Sequence, residues 1–289
     1  KSTTVPHGVS VRFRKSGEIE RVTFFDHGVL HGPMKVFYKD GSVNHLTTFN
    51  HGNPEGKIVS YHDNGQILAE GMYKNGKLEG DYLRYFASGE REVLIPYVNG
   101  EVHGTLIEWY ESGNKKLENR FKMGKLHSEG NLVAVIRYDE KHTIVEVQDF
   151  YEGKPHGDHI LYHPNERQSY VASYNNGALH GIEKWFSLDG KLIGEGQYSN
   201  GKCVGKHWKK HENGTTAYLA IYDKKGRLRE PVREFDENGQ KIAEYSLNQN
   251  GKYEGNFFAW HGDGKLKVEC FYSDGEFDGE QKQFYPSGQ

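Results

Sequence analysis

Short segments rich in apolar and aromatic residues follow one another along the whole chain, and residue pairs that end in glycine separate them. The segments hold about six to eight residues, which is too few for a helix of three turns and enough for a strand. Serine, aspartate or asparagine before glycine suits the positive φ angles of hairpin turns. Such pairs stand at Ser16-Gly17, Asp40-Gly41, Asn64-Gly65 and Asn213-Gly214. The pattern therefore predicts consecutive β-hairpins.

A repeat of 24 residues organises these hairpins. Its leading glycine recurs at Gly8, Gly32, Gly56, Gly80, Gly104, Gly157, Gly181, Gly205, Gly255 and Gly279, with Glu230 in the same series. A second glycine follows most of these after nine residues, and a third after about twenty. Self-similarity at a fixed short period is the signature of a repeat protein. We therefore predict an all-β chain of about twelve tandem hairpin units that form one array over residues 1–289.

Two columns of aromatic residues accompany the glycines. One stands five residues after the leading glycine, at Phe13, Phe37, Tyr61, Tyr85, Trp109, Tyr162, Phe186, Phe235, Trp260 and Phe284. The other stands seventeen residues after it, at Phe25, Phe49, Tyr73, Tyr97, Phe121, Tyr174, Tyr198, Tyr222 and Tyr272. A single hairpin buries too little surface to be stable alone. Rings stacked on one face of the array are therefore expected to form its core.

The unit at residues 128–156 departs from the repeat. Ser128 replaces its leading glycine, and Gly157 follows 29 residues later. Residues 132–136 and 143–147 look like two longer strands joined around residues 139–141. We expect a longer hairpin that projects from the array. It is either a lip on a binding site or an insertion tolerated at a loop tip.

A column of rings directly after the first aromatic column is the candidate binding surface. Side chains alternate between the faces of a strand, so this column is expected on the face opposite the core. Tyrosine, histidine and tryptophan combine contact area with a polar group, as interfaces require. The predicted partner-binding residues are Tyr38, His62, Phe86, Tyr110, His163 and His211, extended by Trp185 and Trp208. The alternative is that the column only shields the backbone of the sheet.

Histidine is frequent, but its spacing argues against a metal site. His7, His31, His103, His127, His156 and His180 each precede a leading position, a column shared with Glu55, Glu79, Glu254 and Asp278. Residues one repeat apart lie about 10 Å from each other, whereas ligands of one zinc ion lie about 2.1 Å from it. His159 and His163 lie in a strand, roughly 13 Å apart. The column is expected to supply hydrogen bonds to turns, with no metal and no cofactor.

No pattern of catalytic residues accompanies the repeat. The chain has no G-x-S-x-G elbow, no CxxC pair and no phosphate-binding glycine loop. Cys203 and Cys270 lie three repeats apart, roughly 25–30 Å, which is too far for a disulfide. We therefore expect two free thiols and no enzyme activity.

Charge and composition limit the classes of partner that the sequence favours. The formal net charge is −3 with a pI near 6.6, which favours neither nucleic acid nor an anionic membrane surface. Gly, Tyr and Phe contribute 36, 19 and 15 residues, a composition typical of sheets and turns. No apolar stretch approaches the ~20 residues of a membrane-spanning helix. A cytoplasmic location is favoured, while export or an envelope location stays open because a leader could have preceded Lys1.

The unit G-x4-[YFW]-x3-G-x7-[YF]-x2-G-x3-G, clearest at residues 56–79, resembles the MORN-variant repeat. The resemblance covers most of the chain and is weakest at residues 128–156 and at the unit that starts at Glu230. It implies an elongated, twisted, single-layer antiparallel sheet that serves as a scaffold for binding. Bacterial members are similar to antitoxin or immunity proteins, and eukaryotic members are linked to membrane attachment or assembly. We therefore expect a non-catalytic protein-binding scaffold that masks a partner toxin. The alternative is a surface, envelope or membrane-associated scaffold.

Overall fold

A computed structural model describes residues 5–287, and all of its regular elements are β-strands. The strands pair in antiparallel fashion and follow one another as hairpins, which confirms the predicted all-β fold. The chain forms two compact units. The first extends to Ile144 and includes Phe150–Gly153, and the second comprises Val145–Asp149 and the chain from Lys154 onward. Within the described range, no helix is long and apolar enough to cross a membrane.

The first unit contains the strands β1 (Gly8–Phe13), β2 (Ile19–Asp26), β3 (Val29–Leu30), β4 (Gly32–Phe37), β5 (Val43–Asn50), β6 (Asn53–Pro54), β7 (Gly56–Tyr61), β8 (Ile67–Lys74), β9 (Lys77–Leu78), β10 (Gly80–Tyr85), β11 (Arg91–Val98), β12 (Glu101–Val102), β13 (Gly104–Trp109), β14 (Lys115–Lys122), β15 (Lys125–Leu126) and β16 (Val135–Tyr138). Strand β17 (Ile144–Tyr151) contributes residues to both units. The second unit contains β18 (Lys154–Tyr162), β19 (Gln168–Asn175), β20 (Ala178–Leu179), β21 (Gly181–Phe186), β22 (Leu192–Ser199), β23 (Lys202–Lys210), β24 (Thr216–Tyr222), β25 (Val232–Phe235), β26 (Lys241–Leu247), β27 (Tyr253–Trp260), β28 (Leu266–Ser273), β29 (Glu276–Phe277) and β30 (Lys282–Gln283).

Two different turns alternate along the chain. Within a repeat, Tyr38 N–H donates to the Ser42 carbonyl (2.8 Å) and Gly41 N–H to the Tyr38 carbonyl (3.1 Å), and only the glycine has positive φ. At positions 19 and 20 of most repeats, two successive residues have positive φ, as at Asn99 (53°) and Gly100 (84°), which is the geometry of a type I′ turn. The corresponding turns at residues 223–227 and 248–252 have the first geometry instead. The predicted turn pairs thus supply one positive φ each, and the type I′ turns lie near the end of most repeats.

Met123, with a φ of 47°, occupies the first positive-φ position of such a turn. Other repeats have His, Asn, Glu or Asp at this position. Asparagine tolerates this conformation better than methionine. We expect Met123→Asn to raise the free energy of unfolding by about 0.5–1 kcal/mol, measured by urea denaturation. Met72→Asn, at an exposed strand position in β8, serves as the control and should lower stability. Equal effects of the two substitutions would contradict the turn argument.

The column before each leading position supports the type I′ turn of the same repeat. The Asn75 N–H donates to Glu55 Oε2 (2.7 Å), the Asn99 N–H to Glu79 Oε2 (2.6 Å) and the Asn200 N–H to His180 Nδ1 (3.3 Å). Equivalent bonds join His31, His103 and His156 to the turn residues twenty positions later. The prediction that this column serves turns is confirmed.

The register places the two aromatic columns on opposite faces of the sheet. Counted from the leading glycine as position 0, position 0 pairs with position 17 and position 2 with position 15, as in Gly32–Phe49 and Met34–Thr47. Strand alternation then puts positions 2, 4, 13, 15 and 17 on one face, called face A, and position 5 on the other, face B. The expectation of one shared aromatic face was wrong, because positions 5 and 2 differ by an odd number of residues.

Face A carries most of the buried side chains among the described residues. They are Thr23, Thr47, Ala69, Leu117, Val135, Ala172, Glu183, His207, Ala220, Val232 and Cys270. Small residues at position 15 stand opposite larger ones at position 2, as in Ala220 opposite His207. Cys203 and Cys270 are free thiols, as predicted.

The extra residues of the 128–156 unit lie in the loop before β16. Tyr138 and Phe150 stand five and seventeen residues after Val133, which therefore occupies the leading position. Strand β16 regains the usual register against β14, with Leu117 opposite Arg137. The loop folds back instead, where the Ser128 N–H donates to the Phe150 carbonyl (2.7 Å). The expectation of a longer hairpin that projects from the array was thus wrong. The extra residues precede β16, and the turn at residues 139–143 has the same hydrogen bonds as the corresponding turns of other repeats.

Candidate functional site

The predicted binding column lies at the hairpin turns and is half-buried. Its polar atoms bond to the main chain of the next repeat, at the carbonyl of the position-5 aromatic residue. The bonds are Tyr38 O–H to Tyr61 (2.7 Å), His62 Nε2–H to Tyr85 (2.9 Å), Tyr110 O–H to Tyr138 (3.0 Å), His163 Nε2–H to Phe186 (2.9 Å) and His211 Nε2–H to Phe235 (2.7 Å). Phe86 has no polar atom to do so. The column therefore satisfies backbone acceptors, which supports the alternative that it covers the sheet.

Three of the eight predicted residues, Trp185, Trp208 and His211, line one pocket of about 560 Å³ in the second unit. Trp208 stands at position 3, so strand alternation places its ring on face B, where Lys210 Nζ lies 5.5 Å from the ring centre. The pocket opens on face A. Its other principal side chains are Glu183, Tyr198, His207, Tyr222 and Glu234. Tyr38, His62, Phe86, Tyr110 and His163 do not line it.

Two glycines in β22 explain why the pocket forms here. Gly194 and Gly196 occupy positions 13 and 15, and no other described repeat has glycine at both. A Cβ at Gly194 would lie 3.0 Å from Trp185 Cε3, and one at Gly196 would lie 2.7 Å from His207 Nδ1. The rings of Trp185 and His207 thus lie against bare backbone. Sequence reasoning missed this strand, although its Gly-x-Gly departs visibly from the repeat.

His207 forms the centre of the pocket. It is 8% exposed, its Nε2–H donates to the Gln197 carbonyl (2.8 Å), and the rings of Tyr198 and Tyr222 each lie 5.1 Å from it edge to face. Burial lowers its pKa, so the neutral ring is favoured. Its hydrogen bond and its packing make it a structural element of the pocket wall.

Glu183 is the most buried carboxylate of the pocket, at 7% exposure. Its Oε1 accepts a hydrogen bond from the Tyr170 hydroxyl (2.7 Å). Burial, and then this carboxylate, raise the pKa of Tyr170 well above the usual range, so that the hydroxyl stays a donor. In the same way, burial and then Glu183 raise the pKa of Tyr198.

Cys203 also lines the pocket, and burial raises the pKa of its thiol. A reactive cysteine requires the opposite shift, because the thiolate is the nucleophile. The Lys209 ammonium lies 5.2 Å from the centre of the Trp185 ring, so the face of this ring is accessible to a cation. The arrangement is suited to binding through rings and carboxylates.

The described residues also contain one group with the atoms for a metal ion, at His7, Asp26 and His27 in the first unit, all within 4.8 Å of one another. Asp26 Oδ1 lies 2.6 Å from His27 Nδ1 and 3.3 Å from His7 Nδ1. The shorter distance is that of a hydrogen bond, whereas two ligands of a tetrahedral zinc ion lie about 3.3 Å apart. The group is exposed or half-exposed, and we interpret it as a hydrogen-bonded surface cluster.

Solved structures with likeness to this chain include the crystal structure of TcdB2-TccC3-TEV, at 10% identity and a TM-score of 0.19. That match covers 93% of this chain, which spans about 15% of the length of that protein. A mutant of the Photorhabdus luminescens Tc holotoxin pore is 10% identical, with a TM-score of 0.17 and coverage of 97% and 18%. CbpJ from Streptococcus pneumoniae TIGR4 is 12% identical, with a TM-score of 0.17 and coverage of 97% and 99%. No curated protein matches the chain.

A protein family described as the MORN repeat variant matches the sequence at residues 54–75, 179–200, 253–274 and 277–289. The matched segments fall in both structural units and together make up well under half of the chain. The second of them begins at Leu179 and includes Trp185, Gly194 and Gly196 of the pocket. The chain therefore contains MORN repeat variant units at four places along its length.

Proposed function

We propose that this chain is a non-catalytic protein-binding scaffold and that the pocket of the second unit anchors its partner. The observation that carries the proposal is the pocket of aromatic side chains built over Gly194 and Gly196. Tryptophan, tyrosine and arginine dominate binding energy at protein interfaces, and such anchors sit in well-packed pockets. The balanced charge of the chain favours a protein over nucleic acid as the partner.

We further propose that the scaffold masks its partner in the manner of an antitoxin or immunity protein. The support for this step is the match of its repeats to the MORN repeat variant, because that resemblance implies a likeness to bacterial antitoxin or immunity proteins. Masking predicts a single partner, bound in about a 1:1 ratio, whose own activity is lost in the complex.

Trp185→Ala tests the proposal. The wild-type chain should capture one stoichiometric protein from a lysate of its source organism, and the substitution should weaken that complex by about 30-fold or more, as for an interface hot spot. Trp260→Ala is the matched control, because Trp260 also lies in the second unit beneath a lysine, with Lys241 Nζ 4.3 Å from its ring centre. It should leave affinity unchanged.

Titration of the captured protein with the wild-type chain should abolish its activity at equivalence. Two results would overturn the proposal: equal loss of affinity in the two tryptophan variants, or capture of many envelope components by all three proteins alike. The second result would favour a surface or membrane-associated scaffold.

A further inference from the structure

Hydrogen-bonded pairs of tyrosine and glutamate recur along the sheet. In each pair the tyrosine hydroxyl donates to one carboxylate oxygen at 2.7–2.8 Å. The pairs are Tyr85–Glu70, Tyr138–Glu118, Tyr170–Glu183 and Tyr245–Glu234. The first two stand at positions 5 and 14 on face B. The last two lie on face A, with the tyrosines at positions 13 and 15 and the glutamates at positions 2 and 4, and both glutamates line the pocket.

The two sets differ in how the carboxylate charge is balanced. Lys57 Nζ lies 2.8 Å from Glu70 Oε2, and Lys115 Nζ lies 3.0 Å from Glu118 Oε1. Within residues 5–287, no lysine, arginine or histidine forms an ion pair with Glu183 or Glu234. The pocket carboxylates thus have the tyrosine donor and lack the cation that their counterparts on face B possess.

Because Glu183 is buried, the absence of a paired cation has a larger energetic cost for it than for an exposed carboxylate. A buried carboxylate without a cation is costly, since hydrogen bonds alone offset only part of its lost hydration. Aromatic rings surround it, and their negative faces attract cations but do not balance the charge of an anion. The Lys209 ammonium, over Trp185, already occupies one such ring face. A second cation that enters the pocket beside Trp185 would meet the Glu183 carboxylate and ring faces together.

We propose that this pocket receives the guanidinium group of an arginine side chain of the partner protein. The planar guanidinium stacks on aromatic rings and donates to carboxylates through a rigid fork, whereas an ammonium acts as a point charge. Trp185 and the tyrosines supply the rings, and Glu183, two residues before Trp185 on the same face of β21, supplies the acceptor. The inference rests on the proposed scaffold function, since it names the side chain of the partner that the scaffold binds.

Two small probes test this inference directly. N-acetyl-arginine-N-methylamide carries the guanidinium, and the citrulline analogue is its neutral counterpart of nearly the same shape. Nuclear magnetic resonance titration, followed at the Trp185 indole N–H, should show saturable binding of the arginine probe and at least about tenfold weaker binding of the citrulline probe. Equal binding of the two probes, or no binding of either, would overturn the inference.

Paired substitutions assign the effect to the pocket. Glu183→Gln keeps an acceptor for Tyr170 and should abolish the preference for arginine. Glu70→Gln removes a carboxylate that already has a lysine and should change nothing. Lys209→Met removes the competing ammonium and should strengthen binding of the arginine probe, a gain that misfolding cannot imitate. A loss of arginine preference in Glu70→Gln would contradict the assignment.

The two proposals fail separately. If Trp185→Ala releases the partner while the probes bind alike, the scaffold function stands and the arginine chemistry is wrong. If the arginine probe binds selectively while Trp185→Ala leaves the partner bound, the pocket takes a cation but does not anchor the partner.

Discussion

Leu117→Ala should lower the free energy of unfolding of the first unit by about 2–5 kcal/mol, as for other buried leucines. Leu117 is 7% exposed and packs with Ala134 and Val135, against which Leu126 and Phe150 are also packed. A sheet of hairpins has few residues buried this deeply, so the substitution removes a large part of the apolar contacts in its local core. Ala134, at the end of the loop of residues 128–134, belongs to this cluster, so the anchoring of the loop should weaken with it.

Leu132→Ala is the matched control, because Leu132 belongs to the same loop and is 52% exposed. Its effect should stay within about 0.5 kcal/mol, as for other surface positions. Unfolding of repeat arrays is not strictly two-state, so amide hydrogen exchange in β14 and β16 is the appropriate local measurement. Exchange there should accelerate in Leu117→Ala alone. Equal acceleration in the two variants would show that the cluster is not a core.

The repeat itself made most of the fold predictable. Glycine in fixed register reports positions where φ must be positive, and short segments between such positions can only be strands. The same register correctly assigned the column of His31, Glu55 and Glu79 to turns, because residues one repeat apart cannot converge on one ion. These inferences needed only local spacing.

The face of the sheet on which each aromatic column lies could not be predicted from residue spacing alone. The aromatic residues at positions 5 and 17 are separated by an even number of residues, which suggests one face when alternation is counted straight through the turn. In the structure a register shift precedes position 5, as between Val36 and Phe37, and the two columns separate. The same shift places Tyr38 in the turn, where its hydroxyl reaches the Tyr61 carbonyl.

The pocket was only partly predictable, because it arises where the repeat pattern fails. Trp185 was identified as an exposed ring that extends the binding column, and the structure places it in the pocket on face A. Glu183 and His207 gave no signal, since position 2 holds a different residue type in most repeats. Gly194 and Gly196 gave the available signal, as missing side chains at two positions that are otherwise filled.

Gly196→Ala should destabilise the second unit by about 1–3 kcal/mol, the usual cost of overpacking. The new methyl group would lie 2.7 Å from His207 Nδ1 and 2.9 Å from His207 Cε1. The imidazole cannot move aside easily, because it is bonded to the Gln197 carbonyl and flanked by Tyr198 and Tyr222. Amide hydrogen exchange in β22 and β23 should accelerate.

Gly262→Ala provides the opposite expectation. Gly262 is exposed, has no positive φ and has no atom within 4 Å of a built Cβ, so alanine there should be neutral or stabilise by up to about 1 kcal/mol. Opposite signs for the two substitutions would show that contact with His207, and not glycine replacement as such, causes the loss. The same sign in both variants would contradict the packing described for the pocket.

Gly71→Ala separates stability from binding. A Cβ at Gly71 would lie 2.7 Å from Tyr82 Cδ2, the same close contact between position 15 and the position-2 ring of the next repeat, but in the first unit. Both variants should therefore lose stability to a similar degree. Only Gly196→Ala displaces a wall of the pocket, so only this variant should also weaken the arginine probe. If Gly71→Ala lowered the affinity for the arginine probe equally, the effect would reflect general destabilisation. The pocket would then not be the binding site of the probe.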